Sequence, residues 1–526
     1  MQGGPGEVHP LDPARQRGVL IILSAAALMV TYVETMIIPG LHSFVTFYDN
    51  APLSTVTWIL SSYLLVGVAF TPIAGKLGDI YGKKRVLVAI LAVYFVAVTC
   101  AGFSPNIGAA IGMSRPDQLY LLIGIRGVQG VGMAMFPLAF ALIGEEFAKE
   151  KVAQAQSIVS AMFSAGASIG LFGGAWITQN FGWQLTYHTV IPIALLVLVL
   201  TVLYLEESRV RLRQQLDVPG SLTLALFLAF FMLGLTEGST WGWGNWSGAT
   251  LAGIPLGGPE FFVLSLVFLA AFVLIELSSA RPIIDFAKIA EHNILLASVV
   301  GFFAGLAMFM MFVGIVARAE YPAPIGLGKT ALDFGYYSLP TTFTNIIVAP
   351  IVGTQMRRTG PKFPILLGAG LIVIGGLFLA AYNTAVIDLI LGPIPIMTGI
   401  IMIFIGMINL VVVSSRPEET GVQTGMNLTI RNLGTAIGPV AAATILTSVA
   451  TVYYRGTPYQ FSGPTAGAFQ DIFLLIALFG LVAFVFGLMI RNFRFMGRGR
   501  RVEAGWLGRP HTVPAVPGAP TSAPDA

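Results

Sequence analysis

Fourteen windows of this sequence are long and apolar enough to cross the ~30 Å hydrocarbon layer of a bilayer, and the charged residues fall almost entirely between them. The windows cover approximately 19–38, 56–73, 86–103, 119–142, 153–177, 190–205, 221–236, 261–278, 294–316, 334–354, 364–381, 394–414, 421–449 and 472–490. A backbone in lipid must satisfy its own hydrogen bonds, so runs of this length fold as helices. With 56% apolar and 10% charged residues, the chain lacks the polar surface to cover a water-soluble globule of 526 residues. The expectation is an all-α integral membrane protein.

Charge sets the topology. Residues 1–17 are polar, carry Arg15 and Arg17, and precede an apolar run too long for a secretory signal core, so they read as a cytoplasmic tail before an uncleaved first span. Counting from there, every second loop is basic: Lys76 to Arg85, Lys149 and Lys151, Arg209 to Arg213, Arg281 and Lys288, Arg357 to Lys362, Arg416, and the arginines from Arg491 to Arg509. The opposite side holds only Arg115, Arg318, Lys329 and Arg455. That asymmetry fits an even number of spans with both termini in the cytoplasm of a cell that places this protein in its plasma or inner membrane. The formal charge of +4 lies in short loops, not on a soluble face, which excludes a nucleic-acid partner. The single cysteine, Cys100, sits in an apolar run as a small hydrophobe and excludes an intramolecular disulfide or a Cys-rich metal site. After Arg491 comes a basic stretch, Arg494 to Arg501, that suits anionic lipid, followed by a Pro/Ala-rich end not expected to fold.

The loop between the second and third windows reads Gly75-Lys76-Leu77-Gly78-Asp79-Ile80-Tyr81-Gly82-Lys83-Lys84-Arg85. Its glycines permit close backbone approach, Asp79 stands near a helix start, and Lys83, Lys84 and Arg85 hold the loop at the membrane face. A weaker copy, Gly353 to Lys362, follows the tenth window, as expected of a chain built from two related halves around a central site. In the fourth window Arg126, Gln129, Gly130 and Met133 share one helix face, so Arg126 must meet an interior cavity or a partner, with a structural ion pair as the alternative. In the fifth, Gly166, Gly170, Gly173 and Gly174 form a stripe that admits a neighbouring helix.

The Gly75–Arg85 loop resembles the signature loop of the major facilitator superfamily, with Ile80 where that family usually has arginine, and Arg126-Gly127-Val128-Gln129-Gly130 resembles its Arg-x-x-Gln-Gly pattern. The glycine stripe is similar to the motif of drug/proton antiporters, with Leu171 in the usual proline place. Further scattered matches are similar to the fourteen-helix drug/proton antiporter subfamily. These are Trp58 with Tyr63-Leu64-Leu65, Trp183 with Tyr187 and Pro192, Asp217 to Gly220, and Gly238 with Trp241-Gly242-Trp243. The resemblance implies a cytoplasmic tail (1–17), a six-helix bundle (18–213), two extra central helices (214–280), a second six-helix bundle (281–492) and a cytoplasmic tail (493–526).

Glu34 lies about 15 residues, or ~23 Å, into the first window, while Arg126 is ~11 Å from the outer face in a window running the other way, so the two share a depth. A carboxylate whose distance from an arginine changes with conformation couples proton binding to movement; a static ion pair is the rival reading. The subfamily commonly has an acidic residue near this point. In the second half Arg431, with Asn427 one turn away, lies mid-window in a stretch similar to the subfamily's thirteenth helix, where it meets substrate or satisfies carbonyls. Tyr32, Gln129, Met133, Asn345 and Asn409 complete the expected cavity, and Glu237 and Glu276 are placed at the ends of the extra helices. Phenylalanine and methionine (36 and 18 residues) permit a greasy, adaptable cavity.

No H-E-x-x-H, P-loop or G-x-S-x-G spacing occurs, which argues against an ATP-driven pump or an embedded hydrolase, and no cofactor or metal is expected. The leading expectation is a monomeric, proton-coupled exporter of lipophilic or cationic small molecules that works by alternating access. A facilitator or proton symporter for a nutrient or lipid is the alternative. A third class, a non-transporting membrane sensor, is marked by an appended soluble signalling domain, and no stretch of this sequence reads as one.

Overall fold

The computed structural model describes residues 13–147, 149–207, 217–241, 250–251, 254–255, 257–279, 282, 284–415, 420–453, 461–496, 500–504 and 510–511. Arg209, Arg211, Arg213, Gly242, Trp243, Arg281, Arg416, Arg455 and the Pro/Ala-rich end from residue 512 lie outside these described residues, as do residues 1–12.

Long helices stand at all fourteen expected places. In the first half they are α1 (Pro13–Thr35), α2 (Trp58–Tyr81), α3 (Lys83–Gly102), α4 (Arg115–Glu146), α5 (Lys149–Phe181) and α6 (Trp183–Tyr204). Two follow in the middle, α7 (Val218–Trp241) and α8 (Gly258–Ser278). The second half contains α9 (His292–Glu320), α10 (Ala331–Thr359), α11 (Lys362–Ala381), α12 (Pro393–Ser414), α13 (Thr420–Ser448) and α14 (Ala466–Met489). Among the described residues 11 helical segments are long and apolar enough to cross a membrane. The other three, α5, α10 and α13, are 33, 29 and 29 residues long. Their internal prolines, glutamines, asparagines and Arg431 lower their hydropathy.

In the first bundle α1 packs on α5 and α6, α3 on α6, and α2 on α4; in the second, α9 packs on α13, α14 and α12, and α11 on α12 and α14. The bundles meet where α2 touches α13 and where α5 touches α10. The α7–α8 hairpin leans on that assembly through α7, which contacts both α2 and α13. Trp58 Nε1 donates to Thr236 Oγ1 at 2.8 Å, and Thr444 Oγ1 donates to the Leu235 carbonyl at 3.2 Å, so α7 is tied to one helix of each bundle. Burial follows: 78% of the apolar window of α9 is inside the protein against 22% for α8, which places α9 centrally and leaves α8 facing lipid. Large apolar side chains such as Leu203, Leu266, Leu274 and Leu277 stand exposed on the perimeter, as lipid as a solvent allows.

Four details differ from the sequence expectation. The first helix begins at Pro13, inside the predicted tail, and Arg15 forms an ion pair with Glu206. The basic stretch after Arg491 forms strands, with β5 (Asn492–Met496) pairing β6 (Arg500–Ala504) and β6 pairing β7 (Pro510–His511). The alternation Phe493-Arg494-Phe495 has the period of a strand, a signal the charge count hid. Cys100 is half-buried beside a surface groove with Val93, Val96 and Ile125 instead of fully buried. Glu276 stands in the last turn of α8, at the helix end as expected, but is buried there by protein, and its Oε2 accepts the Ile284 N–H at 3.1 Å. A backbone donor released by the chain turn after α8 attracts a carboxylate out of water.

Candidate transport site

The site begins where α1 breaks. Glu34 is the last residue but one of α1; after Thr35 the chain makes a turn, a 3-10 turn at Ile38–Gly40 with Pro39 inside it, and a short helix Leu41–Phe47. Proline cannot donate to the preceding turn, so the helix cannot run through this point. The break is held from α5. Thr35 Oγ1 donates to the Thr31 and Ala167 carbonyls, each at 2.9 Å. The glycine stripe explains how α5 comes so close. A methyl at Gly166 would lie 2.9 Å from Leu28 Cα, at Gly170 2.6 Å from the Tyr32 carbonyl oxygen, and at Gly174 2.5 Å from Met36 Cα. No side chain fits in that crossing. Gly173 is different: its face is open, with the Tyr32 ring 3.8 Å away. The Tyr32 hydroxyl reaches Thr189 Oγ1 of α6 at 3.4 Å.

Arg126 on α4 is fully buried. Its Nε donates to the Ile59 carbonyl at 3.1 Å, its Nη1 to Gln129 Oε1 at 2.7 Å, and its guanidinium lies 4.5 Å from the centre of the Tyr63 ring. Four residues on, α4 tightens into a 3-10 turn at Gly130–Ala134. There Gly130 lies against the Tyr63 carbonyl, with Gly67 N 3.1 Å from where its methyl would be, while Met133 packs over Gly67. Glu34 lies 13 residues in from Phe47 along the chain, and Arg126 11 residues in from Arg115. The direct ion pair allowed by the sequence is not formed; among the described residues neither group has an opposite charge within 4 Å. Cation–π stacking and the Ile59 carbonyl hold Arg126 instead.

Arg431 lies on α13, in the second bundle. Its Nε and Nη2 both donate to Asn432 Oδ1, at 3.1 and 2.8 Å, and its guanidinium stands 4.8 Å from the centre of the Phe404 ring of α12. Glu34, Tyr32, Arg126 and Gln129 in the first bundle and Arg431 in the second are the candidate site residues. Three further candidates make contacts of other kinds. Asn427 is fully buried and joins α13 to α9 through Ser298 Oγ at 3.1 Å; Asn409 Nδ2 donates to the Ile405 carbonyl of its own helix at 2.9 Å; the half-buried Asn345 keeps its Oδ1 without a hydrogen bond among the described residues.

The Gly75–Arg85 loop is the tight link between α2 and α3. Asp79, in the last turn of α2, lies 3.1 Å from Lys83 Nζ, and Lys83 also pairs with Glu145 at the end of α4. The carboxylate at the start of α3 is Glu207, not Asp79: its Oε1 accepts the Lys84 N–H at 3.2 Å and its Oε2 is 3.4 Å from Arg85 Nε. Gly82 has φ +106°, a conformation natural to glycine, while Gly75 has open space around it. Glu145 and Glu207 escaped the sequence reading. Their signal was the pair of acidic doublets, Glu145-Glu146 and Glu206-Glu207, ending two apolar windows on the basic side. In the second half, Lys362 Nζ donates to the Leu488 carbonyl at 2.7 Å.

Two sets of packed membrane helices that meet at α2–α13 and α5–α10, with a helical hairpin beside them and an arginine within a long helix of each, fit a carrier rather than an enzyme. A sequence model of the Major Facilitator Superfamily matches residues 23–439, and the chain belongs to that family. Among similar proteins is the multidrug transporter protein MdtP of Bacillus subtilis (strain 168), 25% identical over 426 residues, which are 79% of this chain and 74% of that protein. Another is the tetracenomycin C resistance and export protein of Streptomyces glaucescens, 24% identical over 435 residues, 81% of this chain and 76% of that one. Among solved structures, the nucleoside transporter NupG aligns with 90% of this chain and all of its own, at 11% identity and a TM-score of 0.58. The xylose transporter XylE from E. coli, in a partially occluded inward-open conformation, aligns with 90% of this chain and 98% of its own, at 12% identity and a TM-score of 0.58. These two likenesses establish the fold.

Proposed function

We propose that this protein is a fourteen-span exporter of lipophilic small molecules, exchanging them for protons at Glu34 by alternating access of the two bundles. The chain lies in the plasma or inner membrane with the Gly75–Arg85 end in the cytoplasm and acts as a monomer. The names of similar proteins, a multidrug transporter and an antibiotic export protein, support drug export. The observation that carries the exchange is the placement of Glu34: a carboxylate at the break after α1, ion-paired with no cation among the described residues. Relative movement of the bundles changes the distance from Glu34 to Arg431, and with it the ease of binding a proton. A proton and a substrate that both need the ionised carboxylate then exclude one another.

The test uses purified protein in liposomes with an imposed pH gradient and a lipophilic dye. The wild type is expected to move dye against its gradient, and Glu34→Gln, which mimics the protonated carboxyl, to bind dye more weakly and to lose gradient-driven flux. Export unaffected by collapsing the gradient, or full driven flux in Glu34→Gln, would refute the exchange; dye moving together with protons would mark a symporter instead.

A further inference from the structure

We infer that Glu320 is a second proton-binding residue of the transport cycle, one that takes up a proton from the outer solution as the two bundles close over it. This rests on the alternating access and the orientation proposed above, but not on the exchange at Glu34. Glu320 is the last residue of α9, at the end of the helices opposite the Gly75–Arg85 loop. There the second bundle meets a piece of the first that the break after α1 provides: α9 packs against the 3-10 turn Ile38–Gly40 and the short helix Leu41–Phe47. The Tyr321 ring stands 5.7 Å from the His42 ring, centre to centre, and the His42 backbone N–H reaches the Glu320 carboxyl. Between the two bundles lies a cavity of 10 Å³, walled by Leu41, Val45 and Leu53 on one side and by Val313 and Val316 on the other, with Glu320 in its lining. It has room for about one water molecule and few polar groups to hold it. Glu320 is 8% exposed, and its Oε1 has no hydrogen bond among the described residues.

Among the described residues no cation comes within 4 Å of this carboxyl. The helix Leu41–Phe47 has His42 as its titratable side chain, and the turn Leu53–Val56 has none. On α9 itself Arg318 is engaged elsewhere, its Nε donating to the Asn383 carbonyl at 2.7 Å and its guanidinium over the Phe469 ring. Lys329 donates its backbone N–H to the Ala319 carbonyl at 2.8 Å. Asp333 and Asp388 accept the Thr330 and Ala385 N–H groups at 2.9 and 2.8 Å, and Asp471 stands exposed on α14. Arg431 meets α9 at Gly305, about four turns deeper. A carboxylate charge enclosed beside Val313 and Val316 would thus have neither water nor a countercharge, which is costly, whereas a neutral carboxyl needs no countercharge. Parting of the bundles at this end carries Leu41, His42 and Val45 away from α9, admits water and hydrates the charge. The ionised form therefore belongs to the parted seam and the neutral form to the closed one. An acid exterior favours closure, the direction in which an exporter turns after releasing its substrate outside.

The experiment reads the opening of this seam in the full chain in nanodiscs, with spin labels at two exposed outer positions, Thr46→Cys in the first half and Thr384→Cys in the second. The parent carries Cys100→Ser, so that only these two sites are labelled, and Glu34→Gln, so that the other carboxyl of the proposed cycle is silent. Double electron–electron resonance gives the distance distribution from about pH 5 to about pH 9, and the closed population of the parent is expected to grow as the pH falls. One proton changes the closed-to-parted ratio by at most about tenfold per pH unit. Adding Glu320→Gln, a neutral side chain of the same size, is expected to hold the seam closed with no pH response, while His42→Gln keeps the response of the parent. Glu320→Met, apolar and similar in volume, replaces Glu320→Gln should that variant not fold, with the same expected outcome. A parent without a pH response, a Glu320 variant that responds as the parent does, or a His42→Gln variant that loses the response would overturn the inference. Because Glu34 is replaced and no substrate is present, the result stands apart from the exchange at Glu34, which the liposome flux decides alone.

Discussion

Replacing Gly174 with alanine adds a single methyl group, and its place is already taken. It would lie 2.5 Å from Met36 Cα and 2.7 Å from the Met36 carbonyl carbon, where ordinary contacts are 3.4–4 Å. Both obstacles are backbone, so no rotamer relieves them, and α1 must move away from α5 by about an ångström. Overpacking of this kind costs about 1–3 kcal/mol, which for a bundle of this size lowers the melting temperature by about 2–10 °C. The shift also loosens the Thr35–Ala167 hydrogen bond beside Glu34. Gly173 is the control: one residue earlier on the same helix, its added methyl would have its nearest neighbour at 3.8 Å. Thermal unfolding of the two purified variants, with gradient-driven dye export in liposomes, is the assay. Gly174→Ala is expected to lose both stability and transport while Gly173→Ala keeps the wild-type melting point. Equal melting points for the two variants would show that the α1–α5 crossing yields freely, and the account of the glycine stripe would fail.

Two further outcomes test the remaining contacts. Gly82→Ala forces an L-residue to φ +106° and drives its methyl toward the Glu207 carboxyl carbon, 2.5 Å away, so a loss of about 1–3 kcal/mol is expected, read as a lowered melting temperature; Gly75→Ala, with nothing within 4 Å, leaves stability unchanged. Trp58→Phe removes the donor to Thr236 and strips one tie between α7 and the first bundle, about 1 kcal/mol; limited proteolysis of the hairpin should quicken in the variant, and an unaltered rate would mean that the apolar contacts of α7 suffice.

The helices were legible because their signal is additive: twenty apolar residues outweigh any local ambiguity, and lipid leaves the backbone no alternative. Even α13, diluted by Gln423, Asn427 and Arg431, stood within a residue of its place. The site was legible in its members but not in its pairings. Glu34, Arg126 and Arg431 declare themselves because charge inside an apolar window is costly. Which of them meet is decided by helix packing across hundreds of residues, and spacing carries no record of it. Depth alone allowed Glu34 and Arg126 to pair; the structure gives Arg126 to Ile59, Gln129 and Tyr63. Lys83 likewise found Glu145, 62 positions away in sequence, in addition to its local neighbour Asp79.

The helix crossings beside Glu34 and Arg431 use a repeated device. The α1–α5 crossing is made by Gly166, Gly170 and Gly174; at α9–α13, Gly434 lies against the Phe302 carbonyl, a methyl at Gly438 would stand 2.9 Å from the Leu306 carbonyl oxygen, and one at Gly305 2.7 Å from the carbonyl oxygen of Arg431 itself. Lipid supplies no hydrophobic drive to hold two helices together, so contact must come from close packing, and glycine gives the closest. Each crossing lies beside one ionisable side chain: Glu34 on α1 in the first bundle, Arg431 on α13 in the second. In the proposed alternating access, movement of one bundle against the other is taken up at the α2–α13 and α5–α10 seams where they meet. On that proposal a small rotation there changes the separation of Glu34 and Arg431 while the glycine crossings that hold each of them stay intact.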